Sequence, residues 1–333
     1  MDFSSIARMA GGHAEARAIQ IALKIGVFER LGGGGLAADG LASAIGGNPR
    51  ATGILANALA AMGLLHKIED RFHLDQSARR FLVETSPEYL GGMILFDAAL
   101  WDEWARLEDS IRSGAPARTP DMFQSTPVAT ARFIRAMDSL VRARGDDRWT
   151  AEHLDLGFAR SIADLGGGPG TYLVELLKRF PDLRGAIWDL PATLEVAQRI
   201  LIERDAPSIV ERIELREVDY STSELPGPVD VIFMSNIIHS EDEVVNASLM
   251  AKCFRALNSG GIVAIKDHIM NRELTEPAAG AVFSLYLLLT THGRDYSFDE
   301  TAGWLCAAGF IDVGMTTLPS PPFTSSIVTA RKP

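Results

Sequence analysis

The chain has 333 residues, enough for about two domains, and 47% of them are hydrophobic, which marks an ordinary globular protein with a sizeable core. A formal net charge of −11 argues against a surface built for phosphate-rich nucleic acid or anionic lipid. The two cysteines, Cys253 and Cys306, each sit in a helix-like stretch, so no disulfide framework is expected and a reducing, cytoplasmic setting is.

Along the first hundred residues the pattern is helical. Ile19, Leu23 and Val27 recur at helical spacing until the glycine run at 32–35 stops that helix. Asp39 can cap a short helix through Ile45, Gly46-Gly47-Asn48 ends it, and Pro49 suits the first turn of a helix over 49–62. Two β-like runs, 64–68 and 72–74, then flank a turn at Glu69-Asp70-Arg71. Helix, turn, helix and hairpin outline a winged helix, which raises DNA binding as a possibility. Residues 39–83, however, carry five basic side chains against four acidic ones, a net of +1. Helix 49–62 offers Arg50 and Asn57 but is otherwise almost all Ala, Leu, Ile and Gly, whereas a major-groove helix needs base-reading side chains and phosphate anchors. Such an apolar helix points to cover by a partner chain, so residues 1–115 are read as a dimerisation domain. No membrane span is expected, since the longest apolar stretch, 278–289, is too short to cross a bilayer.

A helix over 128–143 leads into a second domain, 116–333, where the pattern becomes α/β. Short apolar strands at 161–165, 185–190, 213–219, 229–235 and 261–267 alternate with helices, the signature of a parallel sheet wound on both faces. Helices near 278–290 and 298–308 and a final pair of strands, 311–317 and 325–331, complete a seven-stranded sheet.

Between the first strand of that domain and the next helix stands Asp164-Leu165-Gly166-Gly167-Gly168-Pro169-Gly170. Glycines there let a ligand approach the backbone. A nicotinamide dinucleotide site would want Gly-x-Gly-x-x-Gly, but from Gly166 the sixth position is Thr171 and from Gly168 it is Leu173, so both registers fail. Asp164 would also repel a pyrophosphate, whereas it suits a ligand bearing an ammonium and a sulfonium. Asp189, ending the next strand, is an acid of the right type and spacing to accept both ribose hydroxyls.

These motifs, over nearly the whole chain, resemble the S-adenosylmethionine-dependent small-molecule O-methyltransferases of the plant caffeate and bacterial hydroxyindole or polyketide type. The resemblance implies a Rossmann-like class I methyltransferase fold with an antiparallel last strand, a winged-helix domain that forms a homodimer, and S-adenosylmethionine bound by Asp164, Gly166, Gly168, Gly170, Asp189 and Leu190. Asp219-Tyr220 is similar to the family's adenine contact, and Ser235 falls where plant members often carry a cofactor-binding lysine, absent here. His239 matches the catalytic histidine, and Asp267 and Asp295 match acidic positions flanking it, usually glutamates in plant members. Met137, Asn236, Tyr286 and Thr290 match acceptor-pocket positions. Where the family commonly reads His-Asp-Trp, this chain reads His239-Ser240-Glu241, so a carboxylate that often meets the acceptor is missing. His268 and His292 do not combine with His239 at a metal-ligand spacing and no carboxylate cluster is visible, so metal-independent methyl transfer to a hydroxyl of a small aromatic metabolite is expected, with His239 as general base. The competing readings are a nicotinamide-dependent oxidoreductase and a ligand-sensing, DNA-binding regulator.

Overall fold

The computed structural model describes residues 1–318 and 325–333. It divides into two compact units, Met1–Trp101 with Arg142–Arg144, and Asp102–Val141 with Gly145–Pro333.

In the first unit the winged-helix outline is present, with helices Phe3–Lys24, Val27–Gly32, Ala38–Ile45 and Pro49–Ala61 followed by strands β2 (Leu65–Ile68) and β3 (Arg71–Leu74). A short β1 (Leu36–Ala37), too brief to leave a periodic trace in the sequence, pairs with β3 and makes a three-stranded antiparallel sheet. Asn48 caps helix Pro49–Ala61 by accepting from the Ala51 amide, and Pro49 stands in its first turn. Asp39 does not cap its helix: Ala37 holds that position and Asp39 lies inside the first turn, where its charge still favours the helix start. Helix Pro49–Ala61 buries Thr52, Ala56 and Leu59 but leaves Ile54 56% exposed, so the described residues cover only one face of it. The core of the unit is Val27, Phe28, Leu31, Leu41, Leu59, Leu65 and Phe72.

The second unit is built on a seven-stranded sheet of β4 (Ser161–Leu165), β5 (Arg184–Asp189), β6 (Ile213–Glu217), β7 (Val229–Ser235), β8 (Leu257–Asp267), β9 (Ile311–Leu318) and β10 (Ser325–Arg331). Its order is β6-β5-β4-β7-β8-β10-β9, parallel from β6 to β8, with β10 antiparallel to both neighbours. Period-2 alternation sorts the side chains of these doubly covered strands between two cores. Ile162, Ile187, Val231 and Phe233 pack on helix Thr171–Arg179 on one side; Ala163, Leu165, Ile232, Met234, Val263 and Ile265 pack with Leu249 and Cys253 of helix Glu243–Ala256 on the other. Strand order reverses beside β4, between β5 and β7, and ligands of such sheets bind at that switch, outside the carboxyl ends of the strands. No helix among the described residues is long and apolar enough to cross a membrane.

Candidate active site

At the end of β4 the chain turns through Gly166, Gly168 and Gly170, all at positive φ, before helix Thr171–Arg179. Gly166 is required on two counts: its φ is +64°, and a Cβ there would come within 2.3 Å of the Ile237 side chain. Asp164 is 1% exposed, and its Oδ2 has no hydrogen-bond partner among the described residues. Burial and the neighbouring charge of Asp189 push its carboxyl well above the usual carboxylate range. Asp189, at the end of β5, accepts hydrogen bonds from the Gly168 and Leu190 amides at 2.9 and 2.7 Å. Burial raises Asp189, and these donors hold it back. Asp164, buried and with an oxygen orphaned among the described residues, and the half-buried Asp189 are acids a cation would satisfy and a diphosphate would not. These residues therefore fit the sulfonium and ammonium of S-adenosylmethionine, with the remaining lone pairs of Asp189 left for hydroxyls.

Beyond β6, which ends at Glu217 instead of running to 219, Asp219 accepts from the Ser221 amide and the Thr222 hydroxyl, each at 2.9 Å. Hydrogen bonds from Ser221 hold its carboxyl below the ordinary value, so this side chain is committed to its own turn. Tyr220 donates to Glu241 Oε1 at 2.8 Å. Ser235 ends β7 with a buried Oγ, and its cross-strand neighbour on β8 is Lys266. Lys266 is fully buried and paired with Asp146 at 2.8 Å, its Nζ 5.3 Å from the centre of the Tyr172 ring. Sequence reading passed over this pair, although a lysine in the run Gly-Gly-Ile-Val-Ala-Ile-Lys was a visible signal.

His239 lies in a single 3-10 turn, Ile238–Ser240, just after β7. Its Nδ1 is 2.7 Å from Asp267 Oδ1 and 3.9 Å from Asp295 Oδ1. Asp267 Oδ1 also accepts the His268 amide at 2.8 Å. Burial works against the charged imidazole, but the charge and hydrogen bond of Asp267, with Asp295 behind it, raise His239 above its ordinary value. Burial likewise works against the Asp267 carboxylate, and the His239 ring overcomes it and holds Asp267 low. Asp295 is pushed up to about 8 by burial and the nearby Asp267, so near neutrality it carries a proton. An ionised Asp267 fixes the proton of His239 on Nδ1 and leaves the Nε2 lone pair for chemistry. Gly293 seats this arrangement: a Cβ there would lie 2.2 Å from the His239 carbonyl, and the close approach brings Asp295 up to the ring.

Folding thus assembles a cluster not visible from spacing, with ligand atoms of His239, Asp267 and Asp295 all within 4.8 Å of one another, a set able to hold a cation. Its shortest contact, 2.7 Å, has the length of one hydrogen bond.

Of the acceptor-side residues, Tyr286 is linked to this centre through Phe283. Its ring stacks on Phe283 at 5.1 Å, and Phe283 meets His239 edge-on at 5.4 Å and His268 at 5.4 Å. Phe283 escaped sequence reading because one aromatic in an apolar helix looks like core. Thr290 is buried and spends its hydroxyl on the Tyr286 carbonyl of its own helix, at 2.9 Å. Asn236 adopts φ +57° with a buried Oδ1 that has no hydrogen-bond partner among the described residues, and Met137 is half-buried on helix Pro127–Arg144.

Residues 104–311 match the model of an O-methyltransferase domain, and residues 7–84 match that of an O-methyltransferase dimerisation domain. The chain is 31% identical to 3-hydroxy-5-methyl-1-naphthoate 3-O-methyltransferase of Streptomyces sahachiroi, over 94% of this chain and 91% of that one. It is 30% identical to the tetracenomycin polyketide synthesis 8-O-methyltransferase TcmO of Streptomyces glaucescens, covering 96% and 93%. Human N-acetylserotonin methyltransferase, solved with S-adenosylmethionine, shares the fold with a TM-score of 0.89 at 20% identity, covering 100% of this chain and 98% of that one. These matches decide for a transferase over a nicotinamide oxidoreductase, in keeping with the glycine spacing and the acids Asp164 and Asp189. The chain belongs to the O-methyltransferase family, enzymes of small molecules whose methyl donor is S-adenosylmethionine.

Proposed function

We propose that this enzyme methylates a hydroxyl of a small aromatic metabolite, with His239 as general base. S-adenosylmethionine, when bound, supplies an electrophilic methyl group on a sulfonium. Asp164, the backbone of Gly166, Gly168 and Gly170, Asp189 with Leu190, Asp219-Tyr220 and Ser235 form its site in this reading. His239 Nε2 accepts the acceptor's hydroxyl proton while Asp267 holds the ring and offsets its growing positive charge. A phenol near pKa 10 and a free histidine near 6.5 differ by about 3.5 units, or about 5 kcal/mol. The raised His239 narrows that gap, and proton loss coupled to methyl transfer removes the need to cross it beforehand. Met137, Asn236, Tyr286 and Thr290 line the acceptor side, and the Phe283–Tyr286 stack beside His239 supplies a flat surface for an aromatic ring.

The observation that carries this reading is the 2.7 Å contact of His239 Nδ1 with Asp267, which leaves Nε2 as the available basic atom. Replacing His239 by Ala should lower turnover by roughly 10² to 10⁴ while S-adenosylhomocysteine still binds. An undiminished rate would remove His239 from the mechanism. The chemistry as proposed needs no metal, so a chelator should leave the rate unchanged. The first unit is proposed to pair two copies of the chain, supported by the dimerisation-domain match and by the uncovered face of helix Pro49–Ala61, and we keep 1–115 and 116–333 as the functional division. Unpaired cysteines at 253 and 306 are in keeping with a cytoplasmic, reducing setting.

A further inference from the structure

Glu241, two residues beyond His239, is held from two directions by tyrosine hydroxyls that come from distant parts of the chain. Its carboxylate accepts from Tyr220 at 2.8 Å, and its backbone carbonyl accepts from Tyr296 at 2.6 Å. Tyr220 follows Asp219 in the loop after β6; Tyr296 follows Asp295. The same carbonyl also accepts from Asn246 Nδ2 at 3.2 Å, and that amide donates to the Ile238 carbonyl at 2.8 Å, so both sides of the His239 turn are pinned. Gly293 closes the third side, since a Cβ on it would lie 2.7 Å from both the Glu241 amide and its carbonyl. Burial and the Glu241 charge keep the Tyr220 phenol far above its usual range, so it remains the donor of a charge-assisted bond. One side chain therefore spans from the loop beside the donor pocket to the turn that presents the base. That is the segment in which this chain departs from the family's His-Asp-Trp.

We propose that Glu241 is a positioning residue that couples occupancy of the donor site to the placement of His239. Resting on the assignment of Asp219-Tyr220 to the nucleobase side of the donor, the coupling works through geometry. A bound nucleoside holds Tyr220, Tyr220 holds the Glu241 carboxylate, and Glu241 holds the turn at the setting where His239 Nε2 meets the acceptor. In the absence of that link the turn keeps its backbone pins, through Asn246 and Tyr296, but loses its connection to the donor.

The test is a double-mutant cycle on the full-length enzyme, with S-adenosylhomocysteine affinity by calorimetry as one readout and turnover at saturating donor as the other. Glu241→Ala and Tyr220→Phe should each weaken S-adenosylhomocysteine binding about tenfold and lower kcat by a similar factor, with the double variant no worse than either single one. Glu241→Gln retains an oxygen that can accept from Tyr220 and should recover most of both losses, a rescue that a purely structural role does not require. Additive losses in the cycle, or Glu241→Ala binding S-adenosylhomocysteine like the parent with an unchanged kcat, would overturn the coupling. Tyr220→Ala separates this from the underlying assignment. If it binds S-adenosylhomocysteine normally, Tyr220 is not at the donor and both ideas fall; if it binds weakly while Glu241→Ala does not, the coupling alone falls.

Discussion

His239 Nδ1 and Asp267 Oδ1 lie 2.7 Å apart although 28 residues separate them in the chain, because β7 and β8 are parallel neighbours whose carboxyl ends open on the same edge of the sheet. The pair sets the protonation state on which the chemistry depends, and the pH behaviour follows from it.

As a base His239 must be neutral, and its raised value means that it holds its proton to a higher pH than a free histidine. Log kcat/KM should therefore rise with pH and level off above a midpoint higher than about 6.5. In Asp267→Asn the raising charge is gone, so the midpoint should move down while the plateau falls by roughly 10²-fold, as the ring loses its orienting partner. A pH–rate profile whose midpoint stays in place in that variant would refute the assignment.

Asp295, at about 8, is neutral in the physiological range, so an amide of the same shape should stand in for it. Asp295→Asn is expected to keep turnover within about 0.7 kcal/mol of the parent at pH 7, a few-fold in rate. Above about pH 8 the parent gains a second negative charge beside the imidazole that the variant cannot gain, so the two profiles should part there. Steady-state rates at pH 6.5 and 9 measure both.

Asp164 meets a cation best when ionised, and burial beside Asp189 makes ionisation costly in the free protein. S-adenosylmethionine binding should tighten as pH rises, and Asp164→Asn should weaken it by about 1.5–3 kcal/mol and flatten the pH dependence. Calorimetry with S-adenosylmethionine across pH 5–8 is the measurement; equal, pH-independent affinity in the two proteins would count against an electrostatic role.

Lys266 and Asp146 exchange solvent for each other inside the protein, so the loss of one partner is more harmful than the loss of both. Lys266→Met should cost about 3–5 kcal/mol of stability by denaturant titration, and Lys266→Met with Asp146→Leu should regain most of it. A double variant no better than the single one would show that the pair contributes more than mutual neutralisation.

Local signals in the sequence were enough for the elements themselves. Periodicity located β4 and β7 to the residue, and the helices Ala278–Thr290 and Phe298–Ala308 closely, because turn residues and caps bound each run. The Asp164–Gly170 loop and Asp189 were legible for a similar reason: a strand-loop-helix junction with an acid at the next strand end is a short-range pattern, and parallel pairing then sets Asp189 against the Gly168 amide. Boundaries slipped by a residue or two where a neighbouring residue took over the cap or where a tight turn began. Asp39 lost the cap to Ala37, and β6 stopped at Glu217 because the residues after it turn around the Asp219 carboxylate.

What the amino-acid order determined alone is therefore the alternation of strand and helix, the glycine loop and the chemical types available at the strand ends. Only the tertiary structure decided which of those groups share an environment. Asp267 and Asp295 look alike in sequence, yet one is held ionised by a histidine at 2.7 Å and the other, 3.9 Å from the same ring, is pushed up to about 8 by burial. Glu241 reads as a surface acid until folding brings two tyrosines to it. Burial and contact set the cost of a charge, and both are properties of residues far apart in the chain, so no local pattern can carry them.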